Sequence, residues 1–295
     1  MSWRKRGTLV VLGVVVLFNA VGVVAALAAL FGPVPYDWRV FTEAAALIAA
    51  GGDPYQALGP WPFRWSPAAA WLLVPITGLG LWPWRLLHLA ALALLPRRVA
   101  VIVGLSFPFW FDVLLGNILA FAFVLAWRAL AGSRWAALGF LALAILVPRP
   151  LMLPVAAWLL WHRAELRLTF AALFGGHALY VLASGLGPAW ASVLMSTATT
   201  ELPSFSGPTL LGPLWVGLAA LAAALFTIRG RLGWASLAAS PYWLPYYLVF
   251  LGLDLAPGPI RRSAQAPLAG ERPTGLGDGL GPEVELDRRS SGGWL

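Results

Sequence analysis

The sequence is short of charge, and above all of acids. Of its 295 residues only 11% are charged, with 12 Asp and Glu against 20 Lys and Arg, while 60% are hydrophobic. The mean hydropathy of +0.79 is higher than a soluble domain tolerates, because such a domain needs a polar surface around its core. We therefore expect an integral membrane protein.

Cysteine is absent, which excludes disulfides, thiol nucleophiles and thiolate metal sites. The three histidines, His88, His162 and His177, lack the spacing of a metal site. No Walker loop occurs and no glycine fingerprint follows a strand, so a nucleotide-binding domain is excluded. These observations predict no metal and no cofactor. The pI near 10.8 does not indicate a nucleic acid partner, because the arginines stand singly or in small groups at the ends of apolar runs.

Long apolar runs are what the sequence does contain. The first, 8–31, is long enough to span the ~30 Å hydrocarbon core, and we expect a retained first helix with a cytoplasmic N-terminus. Further apolar segments lie at 67–80, 82–95, 99–115, 117–131, 135–148, 151–161, 168–185, 210–228 and 232–251. The pattern predicts an all-α polytopic transmembrane bundle of about 8 to 10 spans over 1–256, placed in the plasma membrane. The Gly-, Pro- and Arg-rich stretch 257–295 is predicted to be a disordered tail.

The connectors predict the orientation of the chain. Arginines concentrate in alternate connectors, which we assign to the cytoplasm, so that the loop 32–66 lies outside. That loop carries Asp37, Glu43 and Asp53. Within it, apolar residues recur at three- and four-residue spacing and predict an amphipathic helix on the membrane surface. They are Val40, Phe41, Ala44, Leu47 and Ile48. Asp37 stands at the start of this helix, where an N-cap and a functional carboxylate are both open interpretations.

The segment 99–115 does not fit a simple alternation of spans. The prolines of "LSFPFWFDVLLGN" allow a broken or re-entrant segment, which membranes tolerate where the backbone lines a cavity. Asp112 and Asn117 are polar residues in this apolar context, and such residues are a hint of function.

Several motifs of the chain resemble those of glycosyltransferase family 87, a family of multi-span mannosyltransferases of the GT-C class that is also described as a domain of unknown function. The motifs are D-W-R-V-F at 37–41, the helix end A-A-A-L-I-A-A-G-G-D-P-Y at 44–55, F-R-W-S-P at 63–67, and an apolar run to Pro75. A reduced form of a later family motif is present in "LLGN", with Gly116 and Asn117, and "VPRP" offers Arg149 and Pro150 where family members have Lys-Pro. The resemblance covers about 8–256.

The resemblance implies a polyprenyl-phosphate sugar donor and a lipid or glycan acceptor at the extracytoplasmic face. By match to the family motif, Asp37 is the expected general base, which takes the proton of the acceptor hydroxyl. Arg149 is the leading candidate for holding the leaving phosphate, although a headgroup anchor is an equal interpretation. The other candidates for donor binding are Arg64, Arg39, Asp53, Tyr55, Trp65 and Asn117.

Two rival functions remain open from the sequence. The first is a lipid-carrier transporter or flippase, although no clear internal repeat is present. The second is a C-terminally truncated, catalytically silent paralogue that acts as an assembly factor, which the short chain and the unusual tail favour. For Asp53 two roles remain open, donor binding and a structural role in a turn, since "GGDPY" has the composition of a turn.

Overall fold

A computed structural model describes residues 3–56, 62–199, 211–241 and 244–256 of the chain, all within one compact unit that spans 1–258. The described part is all-helical, with 81% helix and no strand, which confirms the predicted fold class at this level. The predicted disordered tail, 257–295, lies outside the described residues.

The described residues in the first half of the chain form eight α-helices and one short 3₁₀ turn. They are α1 (Trp3–Ala29), α2 (Tyr36–Ala49), the 3₁₀ turn η1 (Pro54–Gln56), α3 (Pro67–Leu79), α4 (Leu81–Leu92), α5 (Arg97–Gly104), α6 (Phe107–Leu115), α7 (Leu119–Leu130) and α8 (Arg134–Leu146).

The second half continues in the same style. Its described elements are η2 (Pro150–Met152), α9 (Leu153–His162), η3 (Ala164–Leu166), α10 (Arg167–Ala183), α11 (Gly187–Thr199), α12 (Leu214–Ile228), α13 (Leu232–Ala239) and the 3₁₀ helix η4 (Pro245–Leu255). The predicted apolar segment 232–251 is thus two elements, because Pro241 and Pro245 interrupt the α-helical hydrogen bonds between them.

Two helices of the described chain are long and apolar enough to cross a membrane. They are Leu12–Ala29 within α1 and Ala164–Ala183, and 6% of each is buried. The pair α5 and α6 adds a third if the two count as one bent span. Six further apolar helices have only 10–17 residues, short of the ~20 that a full span needs. The predicted count of 8 to 10 spans is therefore not confirmed.

The break between α5 and α6 is a built feature of the fold. The two helices meet at 69°, with Pro108 in the first turn of α6. Asn19, in the middle of apolar α1, donates its amide N–H to the carbonyl of Leu105 at 2.8 Å and accepts from the N–H of Phe107 at 2.8 Å. Two backbone groups at the break, the carbonyl of Leu105 and the N–H of Phe107, are thus satisfied by a neighbouring helix.

The predicted amphipathic helix is present as α2, but protein covers its apolar face. Val40, Phe41, Ala44 and Ile48 are all buried, and α2 packs against α3. The periodicity assigned the apolar side of α2 to the membrane surface. In the structure this side packs against the rest of the protein and holds the first loop in place.

Candidate active site

A cavity of about 420 Å³ opens beside the N-terminal end of α2. Its walls come from α2, the "FRWSP" segment, α6, the loop before η2, α11, the segment that leads into η4, and η4 itself. The polar and aromatic residues that line it include Asp37, Arg64, Trp65, Arg149, Tyr246 and Tyr247. Four of these six were candidates from the sequence, and they are drawn from distant parts of the chain.

Asp37 lies in the first turn of α2 and does not act as its side-chain cap. The residue at the N-cap is Pro35, and no side chain caps the helix there. The carboxylate instead accepts a hydrogen bond from the amide of Asn117, 2.8 Å from its Oδ2. Of the two interpretations that the sequence left open, the N-cap is not the geometry found.

Burial raises the pKa of Asp37 above the ordinary value of 3.8. The positive charge of Arg149 and the hydrogen bond from Asn117 oppose this shift, and the negative charge of Asp112 adds to it. A carboxylate whose pKa is raised in this way is a stronger base than an exposed aspartate, so Asp37 is better suited to take a proton near neutral pH.

Asn117 connects the two charged groups of the site. Its amide nitrogen donates to Asp37, while its Oδ1 accepts from the N–H of Ile118 at 2.8 Å and from Arg149 Nη2 at 3.4 Å. Both ends of one amide are therefore used, and the orientation of the amide is set by its partners.

Arg149 is held by aromatic residues of η4. Its Nη1 donates to the Tyr247 hydroxyl at 3.0 Å, and its Cζ lies 5.9 Å and 5.7 Å from the ring centroids of Tyr246 and Tyr247. Pro148 and Pro150 flank it and break the helical path between α8 and η2, so the guanidinium stands on a rigid turn. A guanidinium has five N–H donors, so it can contact an anion in the cavity while these bonds persist.

The "FRWSP" segment places Trp65 and Arg64 at the cavity. Ser66 caps α3 by accepting from the N–H of Ala69 at 3.2 Å, and Pro67 takes the first helical position. The N–H of Ser66 donates to the carbonyl of Leu146 at 2.9 Å, which joins this segment to the end of α8, just before Arg149. The Trp65 ring packs at 4.4 Å from that of Phe41 on α2.

The remaining sequence candidates lie elsewhere. Asp53 Oδ1 accepts from the N–H of Tyr55 at 2.9 Å, which is an Asx turn. The buried Tyr55 donates its hydroxyl to the carbonyl of Trp65 at 2.9 Å, so it supports the cavity wall from behind. Arg39 is exposed on α2. None of Asp53, Tyr55 and Arg39 is among the residues that line the cavity.

Sequence reasoning missed Tyr246 and Tyr247, which flank the guanidinium of Arg149. Their signal was the run "SPYWLPYYLVF", in which five aromatic residues and two prolines stand in an apolar stretch. Such a segment does not suit an ordinary span, because its prolines interrupt a helix and its tyrosine hydroxyls need hydrogen-bond partners.

Three residues of α4 hold the turn that carries Asn117. Trp84 Nε1 donates to the carbonyl of Gly116 at 2.9 Å, and His88 Nε2 lies 2.8 Å from the carbonyl of Asn117. Arg85 donates to the carbonyls of Val113 and Leu114 at 3.3 Å and 2.9 Å. These carbonyls lie in the last turn of α6 and just beyond it, where the regular helical hydrogen bonds end.

The sequence of the turn fits this geometry. Gly116 ends α6 with φ of 68°, in the left-handed region that favours glycine. A Cβ at this position would meet the Trp38 ring and the Leu81 side chain at 3.1 Å. Asp112 Oδ2 accepts from the N–H of Ala120 at 2.8 Å in the first turn of α7. The short link between α6 and α7 is thus fixed on both sides.

No model of a known protein family matches the chain, and no solved structure matches it. The resemblance to glycosyltransferase family 87 remains a prediction from motifs, and the function has to be argued from the site itself.

Proposed function

We propose that this protein is a membrane glycosyltransferase of the GT-C type. In this proposal it moves a sugar, mannose in the first instance, from a polyprenyl-phosphate donor to a lipid or glycan acceptor at the extracytoplasmic face. The observation that carries the proposal is one cavity that brings together a carboxylate of raised pKa, Asp37, and a permanently charged guanidinium, Arg149.

The reaction needs one group that accepts a proton, Asp37, and one that stabilises a growing negative charge, Arg149. The acceptor hydroxyl gives its proton to Asp37 as its oxygen forms a bond to the anomeric carbon of the sugar. The bond from that carbon to the phosphate oxygen breaks, and its electron pair remains on the phosphate. Arg149 stabilises this growing negative charge, and the single displacement inverts the anomeric configuration.

The rest of the cavity suits a substrate with an apolar chain and a polar head. Aromatic residues from four segments line it, including Phe41, Phe63, Trp65 and Phe111. Aromatic faces stack on sugar rings and pack against isoprenoid units, whereas a fully polar substrate would leave them without partners. The all-helical fold and the apolar helices that can cross a membrane agree with a donor held in the bilayer.

A lipid-carrier flippase is the alternative that one observation favours. The bent pair of α5 and α6 resembles the discontinuous helices of transporters. A flippase also needs a cationic site for the lipid phosphate, so Arg149 serves both functions. A flippase does not need a proton acceptor, so the requirement for Asp37 distinguishes the two functions.

The deciding experiment measures transfer and flipping side by side. The purified chain in proteoliposomes receives synthetic polyprenyl-phosphate mannose with a radiolabelled sugar, and product is counted in the lipid and glycan fractions. Transfer that depends on Asp37 supports the glycosyltransferase. Flipping without transfer, equal in the parent and Asp37→Asn, supports the carrier function, and neither activity in the parent supports a silent paralogue.

A further inference from the structure

His88 is a fully buried histidine in an apolar helix, with 0% of its side chain exposed. Both of its ring nitrogens face carbonyl oxygens. Nδ1 lies 2.9 Å from the carbonyl of Trp84, one turn back on α4, and Nε2 lies 2.8 Å from the carbonyl of Asn117. Both distances are those of good hydrogen bonds.

A carbonyl oxygen only accepts hydrogen bonds, so each ring nitrogen needs its own proton to satisfy this geometry. A neutral imidazole has one N–H and would leave a lone pair facing an oxygen. The imidazolium has two and satisfies both contacts. Leaving one buried contact unmade is costly, which favours the charged ring.

The surroundings of His88 suit a positive charge. Asp112 of α6 is also 0% exposed, and its Oδ2 lies 3.6 Å from His88 Nε2. The rings of Trp84 and Phe121 flank the imidazole at centroid distances of 5.2 Å and 4.4 Å, and aromatic rings attract cations. The neighbouring cation, Arg85, is turned to the carbonyls at the end of α6.

We propose that His88 is a positioning residue: an imidazolium, paired with Asp112, that fixes the backbone of Asn117 and thereby holds the Asn117 amide between Asp37 and Arg149. The role in catalysis rests on the proposed function, whereas the charge of His88 and its hold on Asn117 do not. Asn117 alone links His88 to Asp37, because its carbonyl contacts His88 Nε2 and its side-chain amide donates to Asp37.

The composition of the chain allows a test without turnover. It has two asparagines, Asn19 and Asn117, and three histidines. Protein labelled with ¹⁵N only in asparagine shows two side-chain amide pairs, and the pair lost in Asn117→Gln is that of Asn117. Protein labelled in histidine shows three rings, and the signals lost in His88→Gln are those of His88.

Two variants remove the charge at the pair with little change in shape. His88→Gln keeps an amide donor but not two opposed ones, and Asp112→Asn keeps an oxygen for the N–H of Ala120. His162→Gln is the matched control, because that histidine is exposed at the end of α9 and bonds to Trp158 of its own helix. Thermal melting of all variants shows whether they fold.

The expected spectrum of the parent shows both ring nitrogens of His88 protonated at pH 7, and one of them unprotonated in Asp112→Asn. The Asn117 amide pair is expected to shift in both pair variants, beside one added pair in Asp112→Asn, and to stay in place in His162→Gln. In the transfer assay the pair variants are expected to lose turnover by about 10- to 100-fold, since small misplacements cost such factors, with a smaller change in donor KM.

A neutral His88 ring at pH 7 in the parent would overturn the charge assignment. An Asn117 amide that stays in place in both folded pair variants would overturn the positioning role. If the amide shifts as expected and the parent shows no sugar transfer, the proposed function fails while the hold of His88 on Asn117 stands.

Discussion

Replacing Asp37 with asparagine separates chemistry from structure at this site. The amide keeps the size of the carboxylate and keeps an oxygen that can accept from Asn117 Nδ2, which lies 2.8 Å from the native Oδ2. No helix cap is lost, because the side chain of Asp37 does not cap α2. What the variant loses is the ability to take a proton.

The expected effect on stability is small. A hydrogen bond to a charged acceptor contributes about 1.5–3 kcal/mol and one to a neutral acceptor about 0.5–1.5, so the bond from Asn117 weakens by about 1 kcal/mol. Burial of the charged carboxylate is unfavourable, which is why the pKa of Asp37 is raised. The uncharged amide avoids this cost, and that stabilises the variant. We expect the free energy of unfolding to change by less than about 1 kcal/mol.

The expected effect on rate is large. Loss of a positioned base costs a factor of about 10² to 10⁴, which corresponds to about 2.7–5.4 kcal/mol in the activation barrier. The assay is transfer of radiolabelled sugar from synthetic polyprenyl-phosphate mannose, with thermal melting in parallel. Asp37→Asn is expected to melt like the parent and to transfer at least about 100-fold more slowly.

Two acid-to-amide variants are the matched controls. Glu43→Gln makes the same change on the same helix, away from the cavity lining. Asp53→Asn keeps the Asx turn, because asparagine accepts the same bond from the N–H of Tyr55. Both should transfer like the parent. A well-folded Asp37→Asn with the parental rate would refute the assignment of Asp37 as the base.

Three further predictions follow from the same geometry. Arg149→Lys keeps a charge but loses the fork and should retain part of the activity, whereas Arg149→Ala should lose far more; equal parental activity in both would make the residue a headgroup anchor. Because the pKa of Asp37 lies above 3.8 and the base must be unprotonated, kcat/KM should rise with pH through that raised pKa, and a profile flat from pH 4 to 8 would contradict this. The exposed Gln56→Cys should react with a membrane-impermeant maleimide in intact cells and the exposed Ala164→Cys only after lysis, and the reverse pattern would invert the topology.

Features that depend only on residues close together in the chain could be predicted from the sequence. The period of Val40, Phe41, Ala44 and Ile48 predicted α2, and the prolines of "LSFPFWFDVLLGN" allowed the break that separates α5 from α6. Periodicity does not say what covers an apolar face, so it could not decide between lipid and α3 as the partner of α2.

The contacts that build the site could not be predicted in the same way. Asp37 and Arg149 were paired through the motifs of a family, since no local pattern links residues so far apart. His88 gave no signal, because one histidine in an apolar helix looks like an isolated polar residue until its partners are known. The tyrosines of η4 were hidden in a segment whose hydropathy favoured a span, and hydropathy does not register aromatic hydroxyls as ligands of a guanidinium.

The shared amide of Asn117 has a consequence for any mutational study of this site. Because Asp37 and Arg149 contact opposite ends of one side chain, a change at either residue alters the energy of the other through a common neighbour. Free energies of single variants at 37, 117 and 149 should therefore not sum, and a double-mutant cycle of Asp37 and Arg149 should return an interaction energy of about 0.5–3 kcal/mol that shrinks when Asn117 is replaced by alanine. The three residues are one thermodynamic unit, and the individual share of each in catalysis is defined only relative to the state of the other two.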